Sequence, residues 1–200
     1  MPYVATVTKN QAYKETQEAV TIASNKRKAR EVLYTPSAPL KEKVNAAAKL
    51  AKVYERTGTI PRGRDAKILQ YYRLNEDRFN AIIIVDDINN EGVKWKSKKD
   101  VKHLAKRKAM GHIPQNWSIS DYENKVKNLC NNPETSIYLY QKKGLKQKYY
   151  VFGDGDWIAI FGQNKVIDTA FKVDKMPFEE YIEQQEMKIL GTVKDVMLNE

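Results

Sequence analysis

The chain has 200 residues and a mass of 23.1 kDa, the length of one large domain or two small ones, with 42% apolar residues, 30% charged residues, 12 tyrosines and a net charge of +10. This composition excludes a disordered tail. The longest apolar run, Ala81 to Val85, and a mean hydropathy of −0.67 exclude a membrane helix, which needs about 20 apolar residues. With His103, His112 and the single Cys130, an internal disulfide and a Cys/His zinc set are also excluded.

Cys130 has no neighbouring base for thiol catalysis and reads as a small buried residue on a helix. The amino terminus, MPYVATVTKNQAYK, lacks the charged and apolar regions of a secretory signal. A cytoplasmic address and no membrane partner are therefore expected.

Charge is unevenly spread. Residues 1–150 hold 30 Lys/Arg against 15 Asp/Glu, whereas residues 151–200 hold 5 against 10. The densest run, KWKSKKDVKHLAKRK at 94–108, sets eight Lys/Arg against the single acid Asp100. Such density suits a polyanion, because each phosphate neutralised releases condensed counterions. A solvated, solubilising helix is the other reading.

In chain order, VATVT (4–8) alternates as a short strand does, and KRKAREVLY (26–34) has helical composition until Pro36 and Pro39 stop it. Residues 41–57 place Val44, Ala47, Ala48, Ala51 and Tyr54 on one helical stripe, with Gly58 as the stop. A second helix is predicted from Asp65 to Phe79. AIIIVDD (81–87) reads as a buried strand, and the basic run that follows as a helix with Val101, Leu104 and Ala105 facing in. Ser120, with Glu123 three residues on, forms a capping box for a helix from Asp121 to Cys130.

From Pro133 the period becomes two. SIYLY (136–140), KYYVF (148–152), WIAIF (157–161) and VIDTAF (166–171) are strands joined by QKKGLKQ, GDGD and GQNK, which makes a β-meander. GDGD reads as a hairpin turn rather than a calcium loop, which would need further ligands. PFEEYIEQQEMKIL (177–190) is predicted to be a final helix. The fold class expected is α+β: an antiparallel meander of four to five strands packed with helices over residues 81–200, plus a mostly helical accessory module over 1–80.

The phosphate-binding, dinucleotide, zincin and GxSxG motifs are absent. What these residues support is chemistry on a polyanion without a cofactor or metal. RNA cleavage through the 2'-hydroxyl needs a base, an acid and cations for the developing phosphorane charge. His112, in the loop broken by Gly111 and Pro114, is the acid–base candidate; a surface or capping histidine is the alternative. Thr169 places a hydroxyl on the strand face of Ile167 and Phe171, where it either contacts phosphate or is an ordinary strand threonine. Lys172 lies just beyond it. Backbone contacts fall to Lys94, Lys96, Lys98, Lys99, Lys102, His103, Lys106, Arg107 and Lys108, and base stacking to exposed aromatics such as Trp95, Trp117 and Tyr122.

The basic helix, then GHIPQNWSISDYENKVKNL, then paired strands ending in WIAIFGQNKVIDTAF, resembles the phage- and toxin-associated nucleases of the barnase, EndoU, colicin and RelE superfamily over residues about 81–175. The family's histidine loop, "ts..eY" helix start and closing "g.i.T.F" strand map to His112, to Ser120 with Tyr122, and to Lys165, Ile167, Thr169 and Phe171. The resemblance implies helices on a four- to five-stranded antiparallel sheet and metal-independent cleavage of RNA, often transfer RNA, on the open sheet face. The expected partner is thus RNA rather than DNA, and a toxin would need an acidic neutralising protein. A non-catalytic nucleic-acid binder using the 94–108 helix, or a phage protein that blocks a host protein, are the alternatives.

Overall fold

The computed structural model describes residues 3–142, 144 and 146–197. It divides into two compact units, Met1–Glu76 and Asp77–Glu200. The protein is α+β, with a helical amino-terminal region and a five-stranded antiparallel sheet. Among the described residues no helix is long and apolar enough to cross a membrane.

In the first unit, α1 (Tyr3–Tyr34), α2 (Leu40–Thr57) and α3 (Gly63–Leu74) follow one another. VATVT lies within α1 rather than in a strand. Five alternating residues carry little periodic information, and the Gln-, Glu-, Ala- and Lys-rich stretch after them propagates a helix cheaply once nucleated. Ala29, Leu33, Ala46, Ala47 and Leu50 form the core, with Tyr34, Tyr54, Ile68, Leu69 and Tyr72 packed against it. Gly58 ends α2 in the left-handed conformation (φ 60°), returning its N–H to the last carbonyls. At the middle of this unit Asp65 is 5% exposed. It accepts from Arg30 Nε and Nη2 (3.1 and 2.7 Å) and from the Tyr34 and Tyr54 hydroxyls (2.5 Å each). Burial pushes the Asp65 carboxyl up, but these donors outweigh it and hold it at about 2.

The second unit runs α4 (Glu76–Glu91), α5 (Lys99–Ala109), α6 (Ile119–Asn131), β1 (Ser136–Gln141), β2 (Lys148–Gly153), β3 (Trp157–Gly162), β4 (Ile167–Lys172), α7 (Phe178–Gln184), β5 (Lys188–Thr192) and α8 (Val193–Met197). AIIIVDD is helical, not a strand: residues 79–85, 87 and 88 of α4 are buried, and a helix enclosed on most sides shows no amphipathic period to read. The helix predicted over 65–79 is two helices, broken at Asn75. The cap of α6 is Ser118 rather than Ser120. Ser118 Oγ accepts from the Asp121 N–H (3.2 Å) and Asp121 Oδ2 from the Ser118 N–H (2.7 Å), so an aspartate closes the box where a glutamate was sought.

Strand order is β4-β3-β2-β1-β5. The fifth strand replaces the end of the predicted last helix. The chain leaves α7 through Glu186 at φ 52°, and residues 188–192 pair with the free edge of β1, an edge that would otherwise template aggregation. GDGD is the expected turn: Asp154 Oδ1 accepts from the Asp156 and Trp157 N–H groups (3.1 and 2.7 Å), with Gly155 at φ 93°. The QKKGLKQ link contains Lys143 and Leu145, which lie outside the described residues, as do Met1 and Pro2 of the amino-terminal stretch.

One sheet face packs Val151, Ile158 and Ile160 with Phe178, Tyr181 and Ile182. On the other face α6 lies over β2 and β3, bringing the buried residues Tyr122, Val126, Leu129 and Cys130. Cys130 is a small buried helix residue, its thiol pushed upward by burial. Asp77 and Asn80 tie α4 to the sheet through Lys148 Nζ (2.8 Å to Asp77) and the Tyr150 hydroxyl, which donates to Asp77 Oδ1 (3.0 Å) and accepts from Asn80 Nδ2 (2.9 Å).

Candidate functional site

An edge strand leaves carbonyls and amides open to another chain, and β4 is such an edge. Its outer side is closed from two elements and the segment before them. The Ile167 N–H donates to the Lys94 carbonyl (2.9 Å), with Trp95 bridged in parallel to Ile167. Further along, the Ala170 carbonyl accepts from Arg107 Nε (2.7 Å) on α5 and from the Tyr122 hydroxyl (2.5 Å) on α6. Between these anchor points the register against β3 shifts, so that Thr169 pairs with Ile160 and Ile167 with Phe161, leaving Asp168 as the extra residue of a bulge. Bulges re-aim side chains beside functional sites. Here the bulge breaks the alternation that would have put Ile167 and Thr169 on one face.

Thr169 Oγ1 sits 2.8 Å from Arg107 Nη2 and 3.2 Å from His103 Nδ1. His103 and Arg107 are four residues apart and so share one face of α5. That face is not the one expected: Val101 is 57% exposed, and the helix turns Arg107 (5% exposed) inward instead. Trp95 stacks on both His103 and Tyr122, at 5.6 Å between centroids in each case, and its Nε1 donates to Glu123 Oε1 (3.0 Å). The Arg107 guanidinium also lies 4.9 Å from the Phe171 ring centre, and among the described residues it has no carboxylate partner. Burial, and then the nearby cations Arg107 and Lys99, push His103 below its ordinary value, against a smaller pull from Asp168. Both effects favour the neutral imidazole.

A neutral imidazole, a hydroxyl and a buried guanidinium thus converge beside a lysine-covered helix. Lys96, Lys98, Lys102 and Lys106 are exposed, and Lys108 is half-buried. Lys99 is 3.5 Å from Asp168 and Lys94 is 2.6 Å from Glu91. The other expected site residues fall elsewhere. The His112 side chain is 2% exposed, with Nε2 3.0 Å from Asp174 and the ring edge-on to Trp157. It is a wall residue, because the loop folds it against the sheet instead of presenting it to solvent. Lys172 pairs with Asp156 (3.3 Å) and, by strand register, points to the opposite side of β4 from Thr169. Tyr122 is fully buried and braces the Ala170 carbonyl, so it offers no ring to a base. Trp117 is half-buried beside the Pro114 turn. Lys165 is bonded to Asn80 and to the Gln163 carbonyl.

Arg107 as the hub, and His103 as the partner of Thr169, were missed as a pair. Their i, i+4 spacing was legible, but nothing local marked that face as the inner one. Among the described residues no group of three or more His, Cys, Asp or Glu could hold a metal ion.

No curated protein and no solved structure matches the chain. Residues 86–197, which carry the whole of the β4 edge site and over half of the sequence, match the family described as "Uncharacterised protein aq_aa01", and the chain belongs to that family.

Proposed function

We propose that residues 77–200 form a metal-independent RNA-cleaving nuclease of the toxin- or phage-associated kind, acting on transfer RNA or other structured RNA, with His103, Thr169 and Arg107 as its reacting groups. The observation that carries this reading is the placement of Thr169 Oγ1 between Arg107 Nη2 (2.8 Å) and His103 Nδ1 (3.2 Å) at the foot of the basic α5. With Nδ1 protonated and donating to Thr169, the other ring nitrogen of His103 is left as an acceptor. It takes the proton of an RNA 2'-hydroxyl as that oxygen attacks phosphorus. The 5'-oxygen leaves with a proton from solvent, and a 2',3'-cyclic phosphate remains.

Arg107 supports the growing phosphorane charge through the Thr169 hydroxyl, which is free to donate to a phosphate oxygen. Charge stabilisation of this kind in a water-poor site contributes most where the cation is fixed beforehand. Arg107 is fixed by the Ala170 carbonyl. The lysines of α5 hold flanking phosphates, and an acidic protein covering that face would neutralise the activity.

The test is incubation of the full chain with total RNA and transfer RNA in EDTA, beside His103→Ala, Thr169→Val and Arg107→Met. Fragments ending in 2',3'-cyclic phosphate, lost in the variants, support the reading. Intact RNA with a salt-dependent gel shift would replace it with the non-catalytic binder.

A further inference from the structure

The unit that holds α1, α2 and α3 is strongly basic in its own right, with 15 Lys/Arg against 7 Asp/Glu over residues 1–76. Most of that charge is scattered, but one part is built. Arg30 is locked onto Asp65 through Nε and Nη2 (3.1 and 2.7 Å), and its side chain remains 42% exposed. Both tyrosines that share Asp65 carry a second cation. The Arg64 guanidinium lies 3.8 Å from the Tyr34 ring centre and the Lys26 ammonium 4.0 Å from that of Tyr54.

Neutralising Asp65 needs only one cation, and Arg30 supplies it. Lys26 and Arg64 add nothing to that ion pair, and among the described residues neither has a carboxylate of its own. Gathering three like charges around one small aromatic pair raises their mutual repulsion, which an external anion relieves. The aromatic faces hold the cations in place, so less side-chain freedom is lost on binding.

We propose that Lys26, Arg30 and Arg64, arrayed around Tyr34 and Tyr54, form a second RNA-binding site that grips the phosphodiester backbone. This deepens the reading of the protein as an RNA-directed enzyme and rests on it for the identity of the polyanion. Recognition is by charge alone, so the site is indifferent to base sequence.

The test is salt-dependent binding of a short fluorescent oligouridylate to the full chain, carried in parallel with Lys26→Gln/Arg64→Gln. Both positions lie outside the buried core, and circular dichroism checks that the variant folds. Losing two phosphate contacts should weaken binding about tenfold at moderate salt and make the log–log salt dependence shallower by about 1.4. Unchanged affinity and slope would overturn the proposal. So would a difference between parent and variant that disappears in millimolar inorganic phosphate but not in chloride of equal ionic strength, which would mean a free-phosphate site. Loss of binding to phosphatidylserine vesicles with RNA binding intact would overturn it too.

The two readings fail separately. RNA bound through Lys26 and Arg64 but never cut would retire the nuclease and leave this site standing. Cleavage that depends on His103, together with an unaltered Lys26→Gln/Arg64→Gln variant, would do the reverse.

Discussion

Asp65 in the helical unit and Arg107 in the sheet unit are both buried ions, and the two are treated differently. In the helical unit the Asp65 carboxylate is met by an arginine and two tyrosine hydroxyls, so its charge is cancelled where it stands. In the sheet unit Arg107 is as deeply buried, yet its near neighbours are a carbonyl, a hydroxyl, a thioether and an aromatic face, all neutral. A cancelled charge is a structural lock, worth most to stability when one partner is removed. A buried charge left uncancelled keeps its field available to something that arrives later, which is what a site for a developing anion requires.

The sharpest way to break that comparison is to neutralise each ion in turn. Arg107→Met should lower RNA cleavage by about 10²- to 10³-fold while changing unfolding free energy by only about 1 kcal/mol, because Tyr122 still serves the Ala170 carbonyl. Asp65→Asn should do the opposite, costing about 3 kcal/mol in chemical denaturation with cleavage within about twofold of the parent. If Arg107→Met unfolds the sheet unit, or Asp65→Asn abolishes cleavage, the distinction between lock and site fails.

The histidines extend the contrast at the next size down. His103→Gln should cost about 10²-fold or more in cleavage rate, and His112→Gln only a few fold, measured under the same conditions. Because the folded state holds His103 below its ordinary value of about 6.5, the neutral base predominates above that pH. Cleavage should therefore be flat above about 6.5 and fall only below it. The same depressed value means that His103 favours folding above the unfolded value and loses that contribution as pH drops below it.

Asp65 titrates lower. Its folded value of about 2 implies stability of the helical unit that is constant above about pH 4 and lost between about 4 and 2, a dependence that Asp65→Asn should remove. The smallest effect belongs to Tyr122→Phe. Removing one of two donors to the Ala170 carbonyl should cost about 1 kcal/mol by thermal unfolding and leave the Thr169 contacts in place.

Much of the fold was readable because it rests on local pattern. The four central strands carry a period of two with β-branched and aromatic residues, and GDGD has the turn chemistry its hairpin needs. The exceptions share a cause. AIIIVDD and MKIL are short apolar runs whose state depends on what surrounds them, and one became a buried helix while the other became an edge-pairing strand. At the site, Thr169 and the basic helix were legible as residue types. His112 was preferred over His103 because loops carry function, but the fold buried the loop histidine and turned the helical one toward Thr169.

By itself, then, the sequence determined the α+β class, the meander, the basic character of the first three quarters of the chain and the presence of a hydroxyl in the last strand of the meander, since each is set by composition or by neighbours a few residues away. Only the tertiary structure decided which histidine meets that hydroxyl, that Arg107 lies beneath it, and that a bulge at Asp168 aims it there. Those contacts join residues more than 60 positions apart. Their geometry depends on how an edge strand is closed and on which helix face is buried in closing it, and no local pattern records either choice.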